Sequence, residues 1–251
     1  MDRGSRKHVL DWTERPEFCL ELLQLVSPPV DARITARSRW MPRGYGARGE
    51  ARLETFGPSV IPEADWAGLR RWWLAHERRA NTPNWDIALA CEIERRPGLT
   101  IVEAKANAPE LSVGGKPSDV DASAASRENH ERIGQAINEA CTALQRISAK
   151  TAISHTSHYQ LSNRIAFAWK LASVGVPTVL VYLGFLGDVG IADAGAPYVD
   201  DAHWKHVFAE YTHGVVPENL FETRIDCGAA PTWFLVRSRK IIEHSAPAMP
   251  R

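Results

Sequence analysis

The sequence predicts an α/β protein in which a mixed central sheet is flanked by helices and preceded by an irregular basic N-terminal region. Three patterns lead there: a β-hairpin within residues 85–106, two amphipathic helical runs behind it, and a continuous apolar run at 178–183. A helix that leads into a strand buried on both faces implies parallel pairing, whereas the hairpin must be antiparallel, so the sheet is mixed.

Residues 31–52 come first, with Arg33, Arg37, Arg39, Arg43, Arg48 and Arg52 set against Asp31 and Glu50, and with Gly44, Gly46 and Gly49 loosening the backbone. This composition reads as a flexible basic loop, suited either to surface ion pairs or to phosphate contact. Pro62, followed by Glu63 and Asp65, is a good helix start, since proline and acidic groups both suit a first turn. Trp66, Leu69, Trp73 and His76 then share one face, which is a core-packing pattern. The helix is expected to end before Asn81-Thr82-Pro83.

Trp85–Glu94 and Leu99–Ala106 flank Arg95-Arg96-Pro97-Gly98, a segment with strong turn chemistry. A Gly- and Ser-rich loop at 112–126 follows. From Glu128 to Ile147, Ile133, Ile137, Ala140, Cys141, Leu144 and Ile147 recur at helical spacing, as do Leu161, Ile165, Ala168, Trp169 and Ala172 between Tyr159 and Val174. Gly175 supplies the second helix with its C-terminal stop. Thr178–Leu183 is the buried strand, Ala202–Tyr211 a short helix and Thr232–Val236 a late strand.

The whole chain sets bounds on function. Its 251 residues suit one domain over 1–251, with a basic elaboration at 1–60, a core at 62–186 and a C-terminal elaboration at 187–251. With 44% hydrophobic and 24% charged residues, neither disorder nor a coiled coil is indicated. The longest apolar stretch, Val174–Leu186, is broken by Gly175, Pro177 and Gly184, so no membrane span is expected. The charged beginning of the chain lacks a secretory leader's apolar core, which makes the cytoplasm the expected location. Cys19, Cys91, Cys141 and Cys227 form no CxxC pair, so neither a disulfide framework nor a zinc ribbon is indicated. A formal net charge of zero argues against indiscriminate coating of nucleic acid while leaving local basic patches open.

The hairpin carries the chemistry. Side chains alternate along a strand, so Leu99, Ile101, Glu103 and Lys105 share a face, and two opposite charges interrupt it. Burying a charge costs several kcal/mol unless it is paired or binds a metal. In the first strand Ile87, Leu89, Cys91 and Ile93 take one face, leaving Asp86 on the other with Ala88 and Ala90. An even-numbered turn puts Asp86 on the face of Glu103 and Lys105. A two-residue turn at Arg95-Arg96 would set Asp86 opposite Lys105, and a four-residue turn over 95–98 would set it opposite Asn107. The tighter register, or a bulge, is the one that lets the carboxylates meet.

Two carboxylates with a nearby lysine form a phosphodiesterase set. Oxygen ligands suit Mg²⁺ or Mn²⁺, so Asp86 and Glu103, with the Ala104 carbonyl, are the expected metal ligands. Lys105 would position or deprotonate the attacking water and neutralise charge on the phosphate. Asn84-Trp85-Asp86, sixteen intervening residues and Glu103-Ala104-Lys105 resemble the motif of the PD-(D/E)xK nuclease superfamily, also called the restriction-endonuclease-like fold, with Trp85 where proline is usual. The resemblance covers about half the chain, residues 62–186. It implies a mixed sheet flanked by helices, Mg²⁺ dependence, nucleic acid (first of all DNA) as substrate and a role such as genome defence; a homodimer is compatible with it.

Other polar residues accompany that set. Gln160, Asn163 and Arg164 stand in a polar cluster at the start of a helix and are expected to bind substrate, as are Arg39 and Arg43. The cluster is similar in kind, though not in order or spacing, to the Gln/Tyr-bearing helix of nucleases resembling the RecB family. Glu54, Glu77 and Glu110 read as solvated charges, and His203 with His206 lacks a supporting metal motif. The leading expectation is an Mg²⁺- or Mn²⁺-dependent nuclease. The alternatives are a noncatalytic nucleic-acid-binding or scaffolding module on the same fold and an unrelated α/β protein with a paired charge cluster.

Overall fold

The structure, a computed structural model, describes residues 3–35, 37–57, 60–78, 80–117 and 121–242, so residues 118–120 of the 112–126 loop and the last residues of the C-terminal elaboration lie outside it. The helices are α1 (Gly4–Thr13), α2 (Phe18–Val26), α3 (Leu53–Phe56), α4 (Glu63–Trp73), α5 (Ala124–Gln145), α6 (Tyr159–Ser173) and α7 (Asp201–Thr212). The strands are β1 (Ala32–Arg33), β2 (Trp40–Met41), β3 (Ala51–Arg52), β4 (Asn84–Trp85), β5 (Ile87–Ile93), β6 (Arg96–Lys105), β7 (Thr178–Leu186), β8 (Ile225–Asp226) and β9 (Pro231–Lys240). The main sheet runs β1-β5-β6-β7-β9-β8, with β2 also pairing along β5, while β3 and β4 form a separate ribbon. The β6-β7 and β7-β9 pairs are parallel and the β5-β6 and β8-β9 pairs antiparallel, so the sheet is mixed and flanked by helices.

Two cores lie on opposite faces of this sheet. On one, Ala88, Leu99, Ile101, Leu180 and Phe234 pack against α4, α5, α6 and α7; on the other, Leu89, Val102, Val181, Leu183 and Leu235 pack against Val9, Trp12, Phe18, Leu22 and Val26. Each fully buried Val, Leu, Ile or Phe side chain among them contributes about 1.5–3 kcal/mol. β7 is buried along its whole length, as a parallel strand covered on both sides must be. Gly184 admits Trp204 of α7 so closely that a Cβ would sit 2.5 Å from the indole.

The N-terminal region is not the irregular basic elaboration that its composition suggests: α1 and α2 cover a face of the sheet, and β1 and β2 extend its edge. Neither α1, with its mixed polar residues, nor the nine-residue α2 is long enough to show a sustained apolar period. Likewise the region after residue 186 supplies β9, which lies inside the sheet between β7 and β8. Helix boundaries also shift. α4 ends at Trp73, leaving His76 exposed outside it, and Ile147 lies beyond the end of α5 with 47% of its surface exposed.

The hairpin turn is two residues long but falls one position earlier than the expected Arg95-Arg96. Ile93 pairs with Arg96, and Glu94 and Arg95 make the turn with φ of +48° and +62°. Positive φ at both central residues is the type I′ signature, which matches the twist of the strands. Pro97 and Gly98 belong to β6 instead of the turn. Gly98 is needed there because a Cβ would stand 2.6 Å from the Pro177 carbonyl oxygen. Ile87 opposite Val102 carries the register on to place Asp86 across from Glu103, not Lys105.

Candidate active-site cleft

The cleft forms where β5 begins and β6 ends, with the first turns of α6 above. Its lining includes Asp86, Glu103, Ala104, Lys105, Gln160 and Arg164, and its volume is about 400 Å³. Glu103 and Lys105 point to the same side of β6, toward α6, and are only 2% and 6% exposed. The polar residues that open α6 meet them. His158, with φ of +47° and no side-chain capping bond, stands at the helix entry, and Gln160 and Arg164, four residues apart, project together.

Glu103 is the hub. Its Oε1 accepts from Lys105 Nζ at 2.6 Å and from Gln160 Nε2 at 2.7 Å, and its Oε2 accepts from Arg164 Nε at 2.6 Å. Lys105 also donates to Gln160 Oε1 at 3.0 Å, so the amide bridges acid and amine with both its ends. The Arg164 guanidinium rests 4.9 Å from the Trp85 ring centre, which explains an aromatic residue beside the aspartate. Burial alone would raise the Glu103 pKa, but Arg164 and Lys105 outweigh it and hold the carboxyl below its usual range. Glu103 in turn raises Arg164 against the pull of burial.

Asp86 has the opposite environment. Burial first, and the neighbouring Glu103 charge second, push its pKa up to about 7. Its Oδ2 accepts from the Ala104 amide at 2.8 Å, while Oδ1 has no donor among the described residues. Two carboxylates facing each other across a strand pair thus differ: Glu103 is held ionised, while Asp86 keeps its proton to a higher pH than a free carboxyl.

A hard cation would find oxygen donors here. Among the described residues no group of three His, Cys, Asp or Glu side chains is arranged around a common point. The available set is Asp86 Oδ1, the acceptor position left on Glu103 after its three bonds, the Ala104 carbonyl and water, a set that suits Mg²⁺ or Mn²⁺ with most of its hydration retained.

The remaining sequence-derived residues lie elsewhere. Asn163 is buried and accepts from Arg164 Nη1 at 2.8 Å, but it lines the neighbouring pocket, not the cleft. Arg39 and Arg43 are exposed on the β2 edge, over Phe56 and Trp40 at 5.8 and 4.1 Å, and do not line the cleft. Glu54 accepts from the Thr82 amide and hydroxyl, and Glu77 pairs with Arg70. His203 Nδ1 accepts from the Val199 amide, a local helix-end contact.

The cleft also holds residues that sequence reasoning missed, Ser5 and Arg6 from α1 and Glu50 from the segment before β3, and one that it read as a solvated charge, Glu110, from the turn after β6. Glu110 accepts from the amides of Ala106 and Ser5 at 2.9 and 3.4 Å, binding α1 to the end of β6. Nothing local in the sequence marks Arg6, because its place depends on α1 docking about a hundred residues away in the chain. Comparison with family models, with curated proteins and with solved structures finds no match for this chain.

Proposed function

We propose that the protein is a metal-dependent nuclease of the PD-(D/E)xK type that hydrolyses phosphodiester bonds, DNA being the first substrate to test. The observation that supports this is the meeting of Asp86, Glu103 and Lys105 with Gln160 and Arg164 in one cleft at the end of β6. The restriction-endonuclease-like fold is part of the same proposal, and the mixed sheet with helices on both faces is compatible with it.

In this reading Asp86 and Glu103 hold Mg²⁺ or Mn²⁺. When bound, the ion lowers the pKa of an attacking water and draws charge from the nonbridging phosphate oxygens. Lys105 orients that water and offsets the charge that grows on the phosphate, and Gln160 fixes the direction of its ammonium. Arg164 keeps Glu103 ionised and adds a second positive charge near the scissile group. The bonds that already engage Glu103 favour one other reading, an anion-binding module in which the two cations hold a phosphate without cleaving it.

The test is cleavage of single- and double-stranded DNA and RNA by purified protein with Mg²⁺ or Mn²⁺, beside an EDTA control and Glu103→Ala. The expected result is metal-dependent cutting that falls by at least about 10²-fold in the variant. Binding without cutting under every condition would move the conclusion to the anion-binding module.

A further inference from the structure

Beside the cleft lies a larger cavity of about 890 Å³, between the end of α4, the 80–84 segment and the starts of α5 and α6. The two share a wall: Asn84 lines both, and α6 turns Gln160 and Arg164 to the cleft but Tyr159 and Asn163 to the cavity, two adjacent rows of one helix. The Arg164–Asn163 hydrogen bond joins the two sides.

The charged side chains in the described lining of this cavity are of one sign. Its described lining has no Asp or Glu but includes Arg78, Lys116 and His76. His76 is already paired with Glu128 at 2.6 Å, which leaves Lys116 and Arg78 as the cations on offer. Lys116 is partly buried, its ammonium 5.6 Å from the Tyr159 ring centre, and no carboxylate lies within ion-pair distance of it among the described residues. An ammonium partly buried in a polar pocket open to solvent, with no counterion among the described residues, is a site for an anion that arrives from outside.

We infer that this cavity takes the nucleotide next to the scissile phosphodiester, with its phosphate on Lys116, so that the substrate is an unpaired strand of nucleic acid. The inference rests on the proposal that the neighbouring cleft handles a phosphodiester. A cavity of this size holds a nucleotide, whereas a base-paired one must first leave its stack at a cost of a few kcal/mol. A strand without a partner enters without that cost, and an aromatic ring beside a cation is the usual equipment for holding it.

The experiment is binding of a fluorescein-labelled oligonucleotide in EDTA, single-stranded and as a blunt duplex, across a salt series. Lys116→Gln is compared with Lys116→Arg and with Lys150→Gln, a change at an exposed lysine beyond the far end of α5. The single strand is expected to bind more tightly than the duplex. Losing one phosphate contact reduces the slope of log affinity against log salt by about 0.7, a loss of about fivefold at 0.1 M relative to 1 M salt. Lys116→Arg restores the slope, and Lys150→Gln does not change it.

Equal binding of duplex and single strand, or a Lys116→Gln variant that binds as the parent does, overturns the inference. So does displacement of the strand by a free mononucleotide as readily as by the unlabelled strand. A parallel Mn²⁺ cleavage assay separates the two ideas: cutting with Lys116-independent binding sinks only this inference, whereas Lys116-dependent binding of the single strand without cutting sinks the nuclease and leaves the cavity as a strand-binding site.

Discussion

Along β6 the two faces of one strand answer different demands. Val102, Ala104 and Ala106 look toward α1 and α2 among apolar neighbours, while Ile101 is followed on the other face by Glu103 and Lys105. Both sets are buried to a similar degree, so burial does not separate them. What separates them is the partner. The first face meets the apolar sides of α1 and α2, and the second meets the first two turns of α6, where Gln160 and Arg164 satisfy the charges. A buried ion pair gives little net stability compared with well-packed apolar groups, so the second face holds its charges at the expense of stability it would otherwise have.

This contrast is sharpest in a pair of deletions. Arg164→Ala leaves Glu103 buried with one cation fewer and should cost about 3–5 kcal/mol. Leu235→Ala on the opposite face should cost about 2–5 kcal/mol through the cavity it leaves. The two losses differ in origin, and denaturant unfolding tells them apart. Adding Glu103→Gln should recover part of the first and none of the second. If both losses respond alike, the charged cluster is ordinary packing.

The next effect is one of pH. The Asp86 pKa is raised, so the folded protein holds a proton there that the unfolded chain has released; that stability is present below the ordinary carboxylate range and is lost as pH rises through about 7. A divalent cation competes with this proton, and its affinity should rise by up to about tenfold per pH unit below 7 and then level off. Mn²⁺ binding followed by electron paramagnetic resonance checks this. Asp86→Asn should abolish the dependence, and a flat profile in the parent protein would remove Asp86 from the metal set. The smallest effect concerns Arg39→Ala with Arg43→Ala. These residues sit away from the cleft, so the pair should weaken nucleic-acid binding only modestly, and more at low salt than at high salt. A loss as large as that of Lys116→Gln would put the substrate path along the β2 edge.

Much of this contrast is legible in the sequence, and the missing part has a common cause. Alternation in β5 and β6 places Asp86, Glu103 and Lys105 on one face for any even turn, because the period of a strand is two. The exact partner of Asp86 is not legible. Pro97-Gly98 reads as turn chemistry, yet Glu94 and Arg95 adopt the positive φ angles, since Gly98 is required where the backbone of residue 177 approaches. Gln160 and Arg164 stand out as polar residues on an otherwise apolar helix, whereas Ser5, Arg6 and Lys116 look like any surface residue until distant elements pack beside them. Local periodicity reports which side of an element is buried and says nothing of which element covers it.

The hydrogen bond from the Ala104 amide to Asp86 Oδ2 ties the backbone to the ionisation of a side chain. Its amide proton is therefore a built-in spectroscopic probe. As Asp86 loses its proton the bond becomes charge-assisted and shorter, and the Ala104 nitrogen-attached resonance should move downfield along the titration curve of that one carboxyl. A cation drawn to the same carboxylate would shift it again, so a single backbone signal, needing no label on the substrate and no turnover, follows the state of the cleft.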